Sequence, residues 1–314
     1  MKFPLDLLKQ CWFLAGPTAV GKSALAIELA EEIGGEIVSM DSMAIYRGMD
    51  IGTAKPDRDD QARIPHHLID LVDPEEEFST AEYLTRAIRC CEEITGRGRV
   101  PIFTGGTGLY LRSLLRGVFE GPAADWGFRQ QLLEEARRQP EGWLHQQLEQ
   151  VDPVTSQRLH PNDSRRLVRA LEIHALTGTA PSVLHQEHPL PVDDQPVHNF
   201  WLHPPRDWLY DRINNRVRIM FVRGLEAEVR QILARPQTPG RTASQALGYR
   251  EVMDWLRGEL PSQAAAEELI QTRTRQFAKR QHTWFRNLKE CREILITGEE
   301  SVADLKRKLL QSAW

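Results

Sequence analysis

The sequence has few cysteines, no long apolar run and no pattern of an export signal. Four cysteines occur among 314 residues, and two of them, Cys90 and Cys91, are adjacent. They have neither zinc-ligand spacing nor the pattern of a disulfide framework, which favours a reduced, cytoplasmic setting. Because no run of about 18 apolar residues and no signal-peptide pattern occurs, we expect neither a membrane span nor export.

A strong charge of either sign is also missing. The formal net charge is −4, with 41% hydrophobic and 27% charged residues. This composition is ordinary for a globular protein, and any contact with nucleic acid must come from local basic patches. The length favours one large domain or a domain with an insert.

A loop near the start of the chain carries the first chemical signal. An apolar strand pattern at 11–15 precedes it, and a helical pattern at 23–33 follows it. The loop has the G-x-x-x-x-G-K-[ST] spacing, in which backbone N–H groups at a helix N-terminus bind phosphates. Lys22 would add positive charge, and the Ser23 hydroxyl would bind Mg²⁺. The residues predicted to bind a diphosphate are Gly16, Pro17, Thr18, Ala19, Val20, Gly21, Lys22 and Ser23. The pattern alone does not identify the diphosphate.

Two further strand patterns follow in the first 120 residues. One, at 35–42, leads to Asp41, and the other, at 100–110, runs into Gly105, Gly106 and Thr107. Strands that alternate with helices predict an α/β fold, with a parallel sheet flanked by helices. Ligands bind at the carboxyl ends of such strands, so we expect Asp41 and Thr107 beside the phosphate loop.

The rest of the chain has mainly helical patterns. We predict three segments: the first part of a P-loop core at 1–120, an all-helical insert at 121–200, and a helical remainder of the core at 201–314. Residues 179–205 are rich in proline and histidine and are predicted to be irregular. In the last segment, helices are predicted at 205–235 and 262–292.

Asp41 is open to three interpretations. It can hold Mg²⁺, as the strand-terminal aspartate of a hydrolysing P-loop protein does. It can accept a proton, from a substrate hydroxyl in a small-molecule kinase or from another nucleophile in a transferase with a diphosphate donor. It can also be a turn or helix-capping residue with no chemical role.

Arginine pairs occur on two predicted helices. Residues 162–172 begin a helix with Arg165 and Arg169 one turn apart and Arg166 beside them. Arg212 and Arg216 are four residues apart, so they share one face of their helix. Each group offers a local positive surface that the net charge does not reveal.

A longer basic stripe is predicted between residues 273 and 292. On a helix its members lie along one side, and Phe277, Trp284 and Leu288 are expected on the opposite, core-facing side. Such a stripe can be a merely solvated face, but Glu290 is the only acidic residue between Arg273 and Arg292, which favours binding to a polyanion. The stripe consists of Arg275, Lys279, His282, Arg286 and Lys289.

Six motifs, in order along nearly the whole chain, resemble those of bacterial-type tRNA dimethylallyltransferases. They are GPTAVGKS (16–23), SMDSMAIYRGMDIGTAKP (39–56), IPHHLIDLVDP (64–74), FTGGTGLYL (103–111), QALGYRE (245–251) and TRQFAKRQHTWFR (274–286). The resemblance implies transfer of the dimethylallyl group from dimethylallyl diphosphate to N6 of adenosine 37 in the tRNA anticodon stem-loop, with release of diphosphate. Mg²⁺ is the implied cofactor, and we expect a monomer.

The resemblance also implies roles for particular residues. Asp41 matches the catalytic aspartate, Thr107 the threonine near the reacting base, and Arg216, with Arg212, the neutralisation of the leaving diphosphate. The insert resembles a tRNA-clamping domain. Residues expected to contact tRNA are Asp41, Ser42, Met43, Ala44, Thr107, Arg129, Arg165, Arg166, Leu167, Val168, Arg169, Arg275, Lys279 and Arg286. Ala44 departs from the family, which usually has glutamine there, so one contact to RNA is missing or made elsewhere.

Two other classes of protein share some of these features. A small-molecule kinase of the shikimate or nucleotide type would hold ATP in the loop, with Asp41 and the glycines placed similarly. That class predicts neither the basic stripe nor the DIGTAKP segment (50–56). A P-loop regulator without catalytic activity would leave Asp41 without a role.

Overall fold

The computed structural model describes residues 1–184 and 188–312. In these ranges six parallel strands form one sheet, in the order β3-β2-β4-β1-β5-β6. The predicted α/β fold with a parallel sheet flanked by helices is confirmed. The strands are β1 (Trp12–Ala15), β2 (Gly35–Ser39), β3 (His66–His67), β4 (Val100–Gly105), β5 (Asn199–His203) and β6 (Arg292–Leu295).

Helices account for most of the remaining regular structure. Within the described ranges, none of them combines the length and apolar character needed to cross a bilayer. In chain order they are α1 (Leu5–Leu8), α2 (Lys22–Ile33), α3 (Arg58–Arg63), α4 (Thr80–Gly96), α5 (Gly108–Arg116), α6 (Trp126–Ala136), α7 (Trp143–Val151), α8 (Pro153–Ser156), α9 (Ser164–Thr177), α10 (Pro181–Leu184), α11 (Arg206–Val222), α12 (Leu225–Leu233), α13 (Arg241–Ser244), α14 (Tyr249–Leu256), α15 (Gln263–Asn287) and α16 (Val302–Ser312).

The central strand β1 is buried on both faces, as parallel sheets require. Trp12 and Leu14 belong to the apolar cluster that includes helix α2. Phe13, on the opposite face, stacks on Phe103 with ring centroids 5.0 Å apart. This packing fixes the end of β1, from which the phosphate loop starts.

The chain divides into two compact units. One comprises Met1 and Gly117–His188, and the other comprises Lys2–Arg116 and Pro189–Trp314. The first unit contains helices α6 to α10 and ends at His188. The predicted insert was expected to end later, at residue 200. The predicted irregular segment 179–205 contains β5, which pairs with β1. The sequence prediction missed this strand because its short apolar run lies among prolines and histidines.

The last third of the chain is less uniformly helical than predicted. Gly224, with φ of 96°, separates α11 from α12 inside the predicted helix 205–235. The predicted helix 262–292 is one continuous helix, α15, but it ends at Asn287. Residues from Arg292 then form the edge strand β6, which pairs with β5. This short strand begins with two charged residues, so it carries little of the apolar signal on which strand prediction depends.

Candidate functional site

The phosphate loop joins β1 to α2 at the carboxyl edge of the sheet. Its tight path needs left-handed backbone conformations, with φ of 66° at Ala19 and 102° at Gly21. Gly21 is the N-cap of α2 and has no side chain to cap the helix, so the first N–H groups of α2 remain suited to an anion. Lys22 folds back over the loop and donates from Nζ to the Pro17 carbonyl at 2.8 Å.

A pocket of about 340 Å³ opens beside this loop. Two elements form its walls, namely the start of α2 and one face of α11. Arg212 and Arg216 lie on that face, as their spacing predicted, and Arg212 Nε also donates to the Ala19 carbonyl at 2.8 Å. The lining residues are Ala19, Gly21, Lys22, Ser23, Ala24, Arg212, Asn215, Arg216 and Ile219.

Lys22 and Arg216, which line this pocket, interact with each other and with the nearby Asp41. Burial, reinforced by the positive charge of Arg216, lowers the pKa of Lys22 to about 7, and the Asp41 carboxylate opposes this shift. Burial likewise lowers the pKa of Arg216, and Asp41 again acts in the opposite direction. Two cations crowded together with one carboxylate leave excess positive charge, which an anionic ligand would neutralise.

The segment after β2 positions Asp41 against the loop after β4. The Asp41 carboxylate accepts the Met43 N–H at 2.8 Å, which fixes its orientation. The Ser42 N–H donates to Thr107 Oγ1 at 3.0 Å, and the Thr107 N–H donates to the Met40 carbonyl at 3.1 Å. The structure therefore brings Asp41, Ser42, Met43 and Thr107 together, as the parallel sheet predicted.

Ala44 follows directly in the same segment. It is buried, with 5% of its surface exposed, and its carbonyl accepts the Asp70 N–H at 3.1 Å. Ala44 thus offers almost no surface to a nucleotide base.

Hydrogen bonds to Glu228 hold the segment at 50–53, a feature that the sequence analysis missed. The Glu228 carboxylate accepts the backbone N–H groups of residues 50–52 and the Tyr249 hydroxyl, the last at 2.6 Å. The next carbonyl, that of Thr53, accepts from Arg216 at 3.4 Å. Glu228 therefore holds a segment that orients Arg216. A single glutamate in a helical pattern gives no sequence signal for such a role.

The insert residues expected to contact tRNA fall into three groups. Arg129 and Arg169 both form ion pairs with the fully buried Glu172, the former at 2.7 Å. Leu167 and Val168 belong to the hydrophobic core of this unit, so their side chains are buried. Arg165 and Arg166 are exposed on α9. The sequence pattern of a helix start does not show which arginine side chains point inward and which point to solvent.

The basic stripe on α15 is only partly free for a ligand. Lys279 and Arg286 are exposed. Arg275 donates to Asn214 Oδ1 at 2.6 Å, and the ring of His282 contacts that of His203, with the two Nε2 atoms 2.7 Å apart. Lys289, the last predicted member, lies beyond the end of the helix.

The core-facing side of α15 differs from the prediction. Leu288 is buried, but Phe277 is 37% exposed and lies under Arg280. The residues that α15 buries include Thr274, Ala278 and Phe285. Small residues such as Thr274 and Ala278 let α15 pack closely against its neighbours. The prediction that Phe277 faces the core was therefore wrong.

The predicted magnesium site can be tested against these side chains. Ser23 lines the pocket next to Lys22. Among the described residues, no cluster of three or more histidine, cysteine, aspartate or glutamate side chains can hold a metal ion. Mg²⁺ in proteins is commonly bound by one or two side chains together with substrate phosphates. The site fits that mode of binding and does not form a cage made only of protein groups.

A parallel sheet, a phosphate loop and an aspartate beside a basic pocket define a P-loop protein suited to a phosphate-bearing substrate. The model of the family "IPP transferase" matches residues 44–288, and that of "Isopentenyl transferase" matches residues 9–70. The chain belongs to the IPP transferase family.

Several similar curated proteins carry the name tRNA dimethylallyltransferase. The protein of Geobacter sulfurreducens is 47% identical over 273 residues, which are 87% of this chain and 88% of that protein. The protein of Thermotoga maritima is 43% identical over 94% of this chain and 95% of its own length. The family resemblance found in the sequence is confirmed.

Solved structures agree with this assignment. The full-length tRNA isopentenylpyrophosphate transferase of Bacillus halodurans superposes with a TM-score of 0.69 at 35% identity, covering 97% of each chain. A eukaryotic dimethylallyltransferase, described as acting on tRNA, gives a TM-score of 0.76 at 28% identity over 96% of this chain and 77% of its own.

Proposed function

We propose that this protein transfers the dimethylallyl group of dimethylallyl diphosphate to N6 of adenosine 37 in the anticodon loop of tRNA and releases diphosphate. Family membership supports the reaction type. The observation that carries the proposal is that Lys22 and Arg216 line the pocket beside the phosphate loop and that the Asp41 carboxylate acts electrostatically on both of them. The cations suit a diphosphate leaving group, and the carboxylate suits a proton acceptor.

At the donor end, negative charge grows on the diphosphate as the carbon–oxygen bond breaks. Loop N–H groups, Lys22 and Arg216 would stabilise this charge, and Arg212 lies on the same wall. The side chain of Ile219 gives the same pocket an apolar surface for the prenyl chain. Mg²⁺, held through Ser23 and the donor phosphates, would supply further neutralisation of charge.

At the acceptor end, the adenine amino group is a weak nucleophile because its lone pair is delocalised into the ring. As N6 bonds to C1 of the prenyl group, the bond from C1 to the diphosphate oxygen breaks, and one N6 proton passes to Asp41. The Met43 N–H orients that carboxylate, and Thr107 lies beside it to contact the base. The adenine must leave the anticodon-loop stack, at a cost of a few kcal/mol.

The remaining contacts to tRNA are proposed for the exposed basic residues. Arg165 and Arg166 on the insert, and Lys279 and Arg286 on α15, are exposed. Their charge suits the phosphate backbone, which dominates nucleic-acid affinity. We propose that the protein acts as a cytoplasmic monomer.

Two labelled substrates distinguish this function from the alternatives. The protein is incubated with dimethylallyl diphosphate labelled in the prenyl group, or with ATP labelled at the γ-phosphate, each with and without tRNA. We expect prenyl label in tRNA, located at adenosine 37 by nuclease digestion and mass spectrometry. Label passing from ATP to a small molecule would indicate a kinase, and no transfer from either compound would indicate a regulator.

A further inference from the structure

One buried side chain joins the phosphate loop to the glycine loop after β4. Gln281, on α15, is 4% exposed. Oε1 of Gln281 accepts the N–H of Thr18, in the phosphate loop, at 2.9 Å. Nε2 of Gln281 donates to the carbonyl of Gly106, in the glycine loop, at 2.9 Å. Because a backbone N–H only donates and a carbonyl only accepts, these partners fix the orientation of the amide.

The backbone before Thr107 packs closely against its neighbours, including Gln281. A Cβ atom at Gly106 would lie 2.2 Å from Gln281 Nε2, and one at Gly105 would lie 2.2 Å from the Met40 carbonyl oxygen. Both glycines are therefore required for close approach. Thr107, the next residue, bonds to the segment that carries Asp41.

We infer that Gln281 is a positioning residue, which fixes the separation between the phosphate loop and the loop that carries Thr107. The inference rests on the proposed function, in which the first loop holds the donor and the second contacts the acceptor base. The reacting carbon and nitrogen must approach to about 3–3.5 Å, and a misplacement of about 1 Å can reduce the rate about 100-fold. One amide that bonds both loops sets this distance directly.

Two substitutions and a matched control separate the two hydrogen bonds. Gln281→Glu keeps an oxygen for the Thr18 N–H but loses the donor to the Gly106 carbonyl. Gln281→Met keeps the length of the side chain and loses both bonds. Thr274→Val is the control, because Thr274 is buried on the same helix and its hydroxyl donates to the Ile270 carbonyl of that helix, at 2.6 Å.

We expect the glutamate variant to bind donor more weakly, because it adds negative charge beside the phosphate loop, and its single-turnover transfer at saturating donor and tRNA to fall about 10- to 100-fold. The methionine variant should lose both rate and donor affinity. The control should keep both. A purely structural role would instead lower the melting temperature of both Gln281 variants and leave the rate of the folded fraction unchanged.

Amide hydrogen exchange provides a readout that does not depend on activity. In Gln281→Met, peptides that cover Thr18 and Thr107 should exchange faster than in wild type, whereas Thr274→Val should not change them. Transfer rates within about twofold of wild type in both Gln281 variants, or unchanged exchange in these peptides, would overturn the inference. If wild-type protein transfers no prenyl group, the proposed function fails, and the exchange result still decides whether Gln281 holds the two loops.

Discussion

The lowered pKa of Lys22 makes donor binding depend on pH. In the free protein this pKa is about 7, because burial and Arg216 disfavour the ammonium form. A bound diphosphate favours the ammonium form and raises the pKa again. Above pH 7 the protein must therefore take up a proton to bind the donor, so its affinity falls as pH rises.

The size of the effect follows from the pKa. With a pKa of about 7, the ammonium fraction is about 0.9 at pH 6 and about 0.1 at pH 8, so affinity should fall about tenfold between them. At pH 7, about half a proton should be taken up for each donor bound. Lys22→Arg keeps its charge over this range, so any pH dependence or proton uptake that remains in this variant belongs to the donor.

Titration calorimetry without tRNA, in two buffers of different ionisation enthalpy, measures this proton uptake. The Lys22→Arg variant also corrects for titration of the donor's own phosphate group, because both proteins bind the same ligand. Equal proton uptake by wild type and variant would refute the pKa argument. An equal change in affinity between pH 6 and pH 8 for wild type and Lys22→Arg would refute it as well.

Further predictions concern the basic stripe and the insert. Replacing Lys279 and Arg286 by glutamine should reduce the log–log salt slope of tRNA affinity by up to about one for each lost phosphate contact, as measured by filter binding. An unchanged slope would mean that these residues are merely solvated. Glu172→Gln leaves Arg129 and Arg169 without their buried partner charge and should destabilise the helical unit by about 3 kcal/mol in urea unfolding. The exposed Glu149→Gln in the same unit should change stability by less than about 0.5 kcal/mol, and equal effects of both would contradict the ion-pair account.

The sequence predicted those parts of the site that depend on local order. The spacing of the phosphate loop, the strand before Asp41 and the glycines before Thr107 each lie within a short segment. Their meeting at one edge follows from the parallel sheet. The i, i+4 spacing likewise placed Arg212 and Arg216 on one face.

What the sequence did not predict depends on contacts between distant segments. Gln281 bonds Thr18 across 263 positions, and no periodicity distinguishes it from other polar residues of its helix. The inward orientation of Arg129 depends on Glu172, which is 43 residues away. The exposure of Phe277 depends on which side of α15 packs closely. Such features are set by tertiary packing, which overrides local patterns.

Asp41→Asn tests the central claim most directly, that this carboxylate accepts the proton of the nucleophile. Asparagine keeps an oxygen for the Met43 N–H but cannot take up a proton at neutral pH. Single-turnover transfer is measured at saturating tRNA and donor, across a series of Mg²⁺ concentrations. The account predicts a rate lower by roughly 10²–10⁴-fold at every Mg²⁺ concentration, with nearly unchanged affinity for both substrates. Weakened donor binding, with a rate that high Mg²⁺ returns to near wild type, would contradict the account and make Asp41 a metal ligand.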